Sequence, residues 1–144
     1  MNKLSVLQNV KTVFTHPYPH ICIDEALPNA IYDELDATFP EELICSTTPH
    51  DGGICYRYKA KECAQEAPPA IWQDFFAYHT SPEYFQECAR LFEPHIVEAY
   101  GDEFMHNMLT KSVSVRDVDN SGHYVADCQF VVHEPVDQTG TSRT

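Results

Sequence analysis

The chain has 144 residues, of which 43% are hydrophobic and 12% aromatic, which is the composition of a folded domain and not of a disordered segment. Nine Lys and Arg residues stand against 22 Asp and Glu residues, giving a formal charge of −13. A negative charge of this size opposes binding to nucleic acids and to anionic membranes, and no apolar run approaches the ~20 residues that span a bilayer. We therefore predict one domain over residues 1–144, with neither nucleic acid nor membrane as a partner.

Six cysteines are spread along the chain without any Cys-x-x-Cys pair. Cys22, Cys88 and Cys128 lie in apolar segments, where a free cysteine behaves as a small hydrophobic residue. Three disulfides would also account for the even number. Because no leader peptide is recognisable at the start of the sequence, we favour free thiols and a cytoplasmic location.

The helical part of the chain is expected within about residues 1–105, and its clearest helices cover residues 28–39 and 69–92. The first is marked by apolar residues at every fourth position: Leu27, Ile31, Leu35 and Phe39. Inside the second, Ser81-Pro82 is typical of a helix start, with Ser as the N-cap and Pro in the first turn. Gly101 is predicted to end a further helix.

Between these helices the apolar periodicity is weaker. Residues 41–66 are predicted to be a long connection with one short strand at residues 55–58, because their pattern is dominated by turn-forming residues. Residues 20–23, a run of apolar character after two prolines, are predicted to form a brief buried strand.

After residue 108 the apolar period changes to two, which predicts a β-hairpin within residues 109–135. In its second strand, alternation places Cys128, Phe130 and Val132 on an apolar face. The opposite face carries Asp127, Gln129, Val131 and His133. Asp127, Gln129 and His133 are candidate ligand contacts if this face lines a cavity and ordinary surface residues if it faces water, and the residues alone favour the surface interpretation. The predicted fold is α+β, with three or four helices on a small antiparallel sheet.

Catalytic and metal-binding spacings are absent from the sequence. Its eight histidines form no His-x-Asp, His-x-Glu, His-x-His or His-Glu-x-x-His motif. Gly-x-Ser-x-Gly, Gly-x-Gly-x-x-Gly and the phosphate-binding loop are also missing. The residues by themselves therefore predict no catalytic residue and no metal ligand.

The order of the segments nevertheless resembles a known family. HICID at residues 20–24 is followed by the helix that begins at Leu27-Pro28, then by WQDF at 72–75, YHTSPEYF at 78–85 and DCQFVV at 127–132. This series resembles the N-terminal portion of the iron(II)- and 2-oxoglutarate-dependent dioxygenases of the prolyl-hydroxylase-like type. The resemblance extends over about residues 18–137.

The resemblance implies helices packed outside a double-stranded β-helix, or jelly roll, of which this chain would contain an incomplete part. In the family, a His-x-Asp pair and a distal His hold iron, and an Arg or Lys binds the cosubstrate carboxylate. All of these follow the strand that matches residues 127–133, and none is present here. We therefore expect a truncated scaffold, inactive alone, whose parent hydroxylates an unknown substrate with Fe(II) and 2-oxoglutarate, and whose His-x-Asp pair comes just beyond residues 136–144.

A second interpretation is a non-enzymatic, acidic protein-interaction domain that binds a partner through its polar strand face or through residues 41–66. This interpretation predicts a stable monomer. A truncated oxygenase instead leaves unpaired strand edges, and such edges favour homo-oligomers by pairing with another copy. Solution size therefore distinguishes the two interpretations.

Overall fold

The computed structural model describes residues 3–49, 55–63 and 65–133, and this part of the chain has the predicted α+β class. Seven helices lie in it: α1 (Asn29–Ala37), α2 (Glu41–Cys45), α3 (Ala60–Cys63), α4 (Ala70–His79), α5 (Pro82–Leu91), α6 (Glu93–Tyr100) and α7 (Asp102–Thr110). Four short strands accompany them: β1 (Cys55–Lys59), β2 (Val113–Val115), β3 (Tyr124–Ala126) and β4 (Gln129–His133). Among these described helices, none is long and apolar enough to cross a membrane.

The predicted helix boundaries are confirmed where capping residues mark them. Residues 69–92 divide into α4 and α5 at Ser81, whose hydroxyl accepts a hydrogen bond from the backbone N–H of Tyr84 at 3.2 Å. Gly101 ends α6 with a φ of +85°, a left-handed conformation that favours glycine, and α7 begins directly after it. The α7 helix was not predicted, although Phe104, Met105, Met108 and Leu109 recur at helical spacing.

Replacing Ser81 with alanine is expected to lower the free energy of unfolding by about 1 kcal/mol, because the N–H of Tyr84 loses its acceptor at the start of α5. Urea unfolding followed by circular dichroism measures the change. Ser81→Asp keeps an acceptor at the same position and serves as the matched control. Equal losses in both variants would show that the side-chain cap does not stabilise this helix.

The predicted buried strand at residues 20–23 is wrong. Among the described residues, pairing in this region is limited to one antiparallel bridge, in which Phe14 and His20 exchange backbone hydrogen bonds of 2.8 and 2.9 Å. Cys22 is exposed and not buried as predicted. The apolar run is short, and within the described residues no neighbouring strand continues the pairing beyond His20, so the residues that follow do not form a ladder.

Residues 41–66 contain more regular structure than predicted, since α2, β1 and α3 all fall within them. The strand predicted at residues 55–58 is confirmed as β1. The short α2 follows Pro40 and carries Glu41 and Glu42 in its first turn, where negative charge is favourable. An element of five residues is too short to show helical periodicity, which is why the pattern did not reveal it.

The predicted hairpin within residues 109–135 is also wrong over the residues that the structure describes. β2 pairs with β3 in parallel, and β4 pairs with β1 in antiparallel orientation. After β2 the chain folds back, because the N–H groups of Val118 and Asp119 both donate to the carbonyl of Val115. Gly122 permits the close return, since a Cβ atom there would lie 2.6 Å from the backbone nitrogen of Ser114. Residues 134–135 lie outside the described part.

The core lies where α2 and α4 cover one face of the β1–β4 sheet. Its buried members are Ile44, Tyr58, Phe76 and Phe130. Phe130 occupies the centre, with ring centroids 4.8 Å from Trp72 and 4.9 Å from Phe76. The predicted apolar face of residues 127–133 is therefore the face that joins the core.

Candidate functional site

The other face of the β1–β4 sheet carries the sequence-predicted site. The register places Lys59 opposite Gln129, Arg57 opposite Val131 and Cys55 opposite His133. Cys55 is fully buried. We call the remaining five residues the open face: Arg57, Lys59, Gln129, Val131 and His133. Their side chains point away from Phe130 because successive residues of a strand point to opposite faces.

The three candidate residues have different positions. Gln129 and His133 are both exposed on the open face, in the same strand. Asp127 precedes β4, and its carboxylate is 3.5 Å from the guanidinium of Arg116. The structure therefore brings Gln129 and His133 onto one face and engages Asp127 in an ion pair beside it.

Sequence reasoning missed the two basic residues of this face. Arg57 and Lys59 are two of only nine Lys and Arg residues in the chain, and both lie opposite residues of β4. Their position depends on pairing between strands that are distant in sequence, so nothing within residues 55–59 alone indicates it. Guanidinium, ammonium, amide and imidazole groups together can donate hydrogen bonds to an anionic oxygen.

The open face does not fit an iron centre. Iron in oxygenases of the resembled family needs imidazole and carboxylate ligands on one rigid scaffold, whereas this face offers one imidazole and no carboxylate. Nowhere in residues 3–49, 55–63 and 65–133 do three His, Cys, Asp or Glu side chains form a group able to hold a metal ion. No residue of the described chain is therefore assigned as a metal ligand.

His79, at the end of α4, has an unusual environment that the sequence did not single out. Its Nδ1 lies 2.7 Å from the carbonyl oxygen of Phe75, which can only accept, so Nδ1 carries the proton. Its Nε2 is buried without a hydrogen-bond partner in the described chain. The rings of Phe75 and Tyr84 enclose it, with centroids 3.9 and 4.5 Å away. Burial lowers the pKa of His79, although the Phe75 carbonyl and Glu87 act in the opposite direction.

This environment predicts that acid destabilises the protein through His79. An unfolded histidine takes up its proton near pH 6.5, whereas the folded pKa of His79 is lower. Between the two values the unfolded state binds more protons, so the free energy of unfolding falls as the pH drops below about 6.5. Urea unfolding at pH 7.5 and 5.5 should show a smaller acid-induced loss in His79→Phe than in the wild type. His106→Gln removes an exposed histidine and should retain the full loss, and a full loss in His79→Phe would contradict the prediction.

Glu87 of α5 joins the N-terminal segment to the helices. Its carboxylate accepts hydrogen bonds from the hydroxyl of Ser5 at 2.7 Å and from the phenol of Tyr78 at 2.5 Å. Ser5 is fully buried. Burial, supported by the hydrogen bond to Glu87, raises the pKa of Tyr78 to about 12. This network is structural, because its groups satisfy one another.

None of the six cysteines, all of which lie in the described residues, forms a disulfide, as predicted, and they differ in exposure. Cys22 and Cys45 are exposed, whereas Cys55 is fully buried. Burial also raises the pKa of the thiols at Cys63, Cys88 and Cys128, the last to about 11. The thiols of Cys22 and Cys45 are therefore the most accessible. Access to the other four is restricted, and the raised pKa of Cys63, Cys88 and Cys128 also lowers their thiolate fraction.

Alkylation is expected to follow this order. A brief treatment of the native chain with iodoacetamide at pH 7.5 should modify Cys22 and Cys45 first, because attack requires an accessible thiolate. Peptide mass spectrometry identifies the modified positions, and the same treatment in urea, where all six should react, is the control. Early modification of Cys128 in the native chain would contradict the described packing.

Comparison with known proteins yields no relative. No protein family, curated protein or solved structure matches the chain. The resemblance to dioxygenases therefore has no support from a homologue or a structural neighbour.

Proposed function

We propose that this chain is the N-terminal scaffold of an iron(II)- and 2-oxoglutarate-dependent oxygenase that hydroxylates an unknown substrate. The observation that carries the proposal is the one-sided sheet: helices cover the β1–β4 face that contains Tyr58 and Phe130, while on the open face Gln129, Val131 and His133 are exposed and Arg57 and Lys59 are half-buried. In a double-stranded β-helix, helices pack outside one sheet and the inner face looks into the barrel. An incomplete jelly roll would leave such an inner face uncovered.

The edges of the β1–β4 sheet support the same interpretation. In the described part of the chain this antiparallel sheet has only two strands, so each strand has an edge on which no further strand is paired. The parallel β2–β3 pair would lie outside the jelly roll, whose strands are antiparallel. Additional strands would complete the jelly roll at these edges, and without them the edges favour pairing with a second copy. Iron and cosubstrate ligands would come from those additional strands, because the residues present do not fit an iron centre.

The coding sequence beyond residue 144 tests the proposal. We expect a His-x-Asp motif soon after residue 144, and a distal His and an Arg or Lys further on. The longer chain, supplied with Fe(II) and ascorbate, should convert 2-oxoglutarate to succinate, whereas the 144-residue chain should not. Succinate formation by the 144-residue chain, or a reading frame without these ligands, would refute the proposal.

The alternative, an acidic protein-interaction domain, is favoured by a groove on the helical side of the core, away from the open face.

A further inference from the structure

An aromatic pocket of about 230 Å³ lies between α1 and α4. It is lined by Leu27, Tyr32, Leu35, Asp36, Phe39, Trp72 and Phe75. Trp72 forms a fixed wall, because its indole N–H donates to the carbonyl of Leu35 at 3.1 Å. The rings of Phe39 and Phe75 pack edge-on against it, with centroids 5.7 and 5.5 Å away.

Large aromatic surface remains exposed at this pocket. Tyr32 is 59% exposed, and Phe39, the last residue of the apolar stripe that begins at Leu27, is 42% exposed. Exposed aromatic groups next to a preformed apolar pocket are typical of a surface that binds another molecule. The described chain thus presents an uncovered apolar site and not isolated surface aromatics.

A second cavity, of about 660 Å³, adjoins the first and shares Phe39 with it. Its lining includes Glu41, Glu42 and Glu66, and the aromatic pocket includes Asp36. Among the described lining residues of the two cavities there is no Lys, Arg or His. All four carboxylates are exposed, and within the described chain none of them forms an ion pair with a basic side chain. We call the two cavities together the acidic aromatic groove.

We propose that the acidic aromatic groove binds a cationic peptide segment of a partner protein, which inserts one bulky apolar side chain beside its Lys and Arg residues. The apolar side chain would occupy the aromatic pocket, and the basic residues would lie along Glu41, Glu42 and Glu66. The charge of −13 strengthens the attraction at a distance and disfavours anionic lipids and nucleic acids as occupants.

This inference is independent of the proposed oxygenase function. The groove and the open face lie on opposite sides of β4, because Phe130 contacts Trp72 and Phe39 while its neighbours Gln129 and Val131 point the other way. The absence of peptide binding at the groove would therefore not contradict the oxygenase proposal, and the absence of 2-oxoglutarate conversion would not contradict peptide binding.

Trp72 makes the test direct, since it is the only tryptophan of the chain and lines the pocket. The probe is an acetylated and amidated nine-residue peptide with a central Phe flanked by Lys and Arg, without Trp or Tyr. We expect saturable binding to the 144-residue chain, seen as a change in Trp72 fluorescence and by calorimetry, and weakened by salt. Replacing the central Phe of the peptide with Gly should weaken binding by at least about 10-fold, and replacing its basic residues with Glu should abolish it.

Two sets of variants locate the site. Glu41→Gln, Glu42→Gln and Glu66→Gln in combination should weaken binding by about 10-fold or more. The matched control combines Glu93→Gln, Glu98→Gln and Glu103→Gln, which change the net charge equally at exposed positions of α6 and α7. This control should weaken peptide binding by less than about 3-fold. Tyr32→Ser, at an exposed position of α1, should weaken binding about 5-fold without affecting circular dichroism.

Three results would overturn the inference. The first is equal binding of the Phe and Gly peptides, which would make the attraction purely electrostatic. The second is equal weakening by the groove and control triple variants. The third is the absence of saturable peptide binding. This includes the case in which Trp72 emission changes with protein concentration and light scattering shows a dimer, because a second copy of the chain would then occupy the groove.

Discussion

Replacing Phe130 with alanine is expected to lower the free energy of unfolding by about 3–5 kcal/mol, the largest effect of any single substitution predicted for this chain. Phe130 is 7% exposed, and its ring packs against Trp72 and Phe76 from α4. It also lies opposite Tyr58 in the β1–β4 pairing. Truncation therefore removes contacts to a helix and to the partner strand at once, and it leaves a cavity between them.

Urea unfolding measures this effect, with circular dichroism reporting the helices and Trp72 fluorescence reporting the core. Val131→Ala, on the open face of the same strand, is the matched control and should cost less than about 1 kcal/mol. A loss as small in Phe130→Ala as in the control would contradict the central position of Phe130. Because folded domains are stable by only about 5–15 kcal/mol, Phe130→Ala should also populate the unfolded state measurably at moderate temperature.

Replacing Glu87 with alanine should produce the second-largest loss, about 2–4 kcal/mol, because the donors at Ser5 and Tyr78 lose their shared acceptor. The penalty is large because Ser5 is fully buried and cannot turn to water. We further expect the N-terminal segment to detach from α5, which should increase proteolytic cleavage near Ser5 before global unfolding occurs.

A double-mutant cycle separates the network from the general effect of removing a charge. In a Ser5→Ala, Tyr78→Phe background the donors are already absent, so Glu87→Ala should cost less than about 1 kcal/mol. Glu98→Ala, at an exposed position of α6, controls for the loss of one negative charge. An undiminished cost of Glu87→Ala in the double-variant background would place its effect outside these two hydrogen bonds.

The two proposed functions involve opposite sides of β4. On the open face, Gln129 and His133 lie opposite Lys59 and the buried Cys55, so the polar groups of two distant strands form one surface. On the other side, the acidic aromatic groove includes Phe39, which follows α1, and Trp72 of α4, and both rings pack on Phe130. A substitution at Phe130 should therefore weaken peptide binding at the groove as well as stability, whereas Val131→Ala should change neither strongly.

Local chemistry allowed parts of this fold to be predicted from sequence. Ser81-Pro82 defines the start of α5 because the cap and the fixed φ of proline act within a few residues of chain. Gly101 ends α6 for an equally local reason, its left-handed φ. The alternation that separates Phe130 from Gln129 and Val131 also follows from the geometry of a single strand.

Strand pairing could not be predicted in the same way. The sequence indicated a hairpin within residues 109–135, yet β4 pairs with β1, more than sixty positions earlier in the chain. A strand pattern predicts which side chains share a face, but it does not identify the partner strand whose backbone N–H and C=O groups form the hydrogen bonds. The choice depends on the aromatic core, where Tyr58 of β1 and Phe130 of β4 are buried together.

By itself the sequence determined the α+β class, the α4–α5 boundary, the two faces of residues 128–133 and a strongly acidic charge. Only the tertiary structure decided that Arg57 and Lys59 share a face with Gln129 and His133, and that Asp36 and Glu66 border one groove. The physical reason is sequence separation: capping and alternation act between neighbours in the chain, whereas a surface is formed by residues that the packing of distant elements brings together.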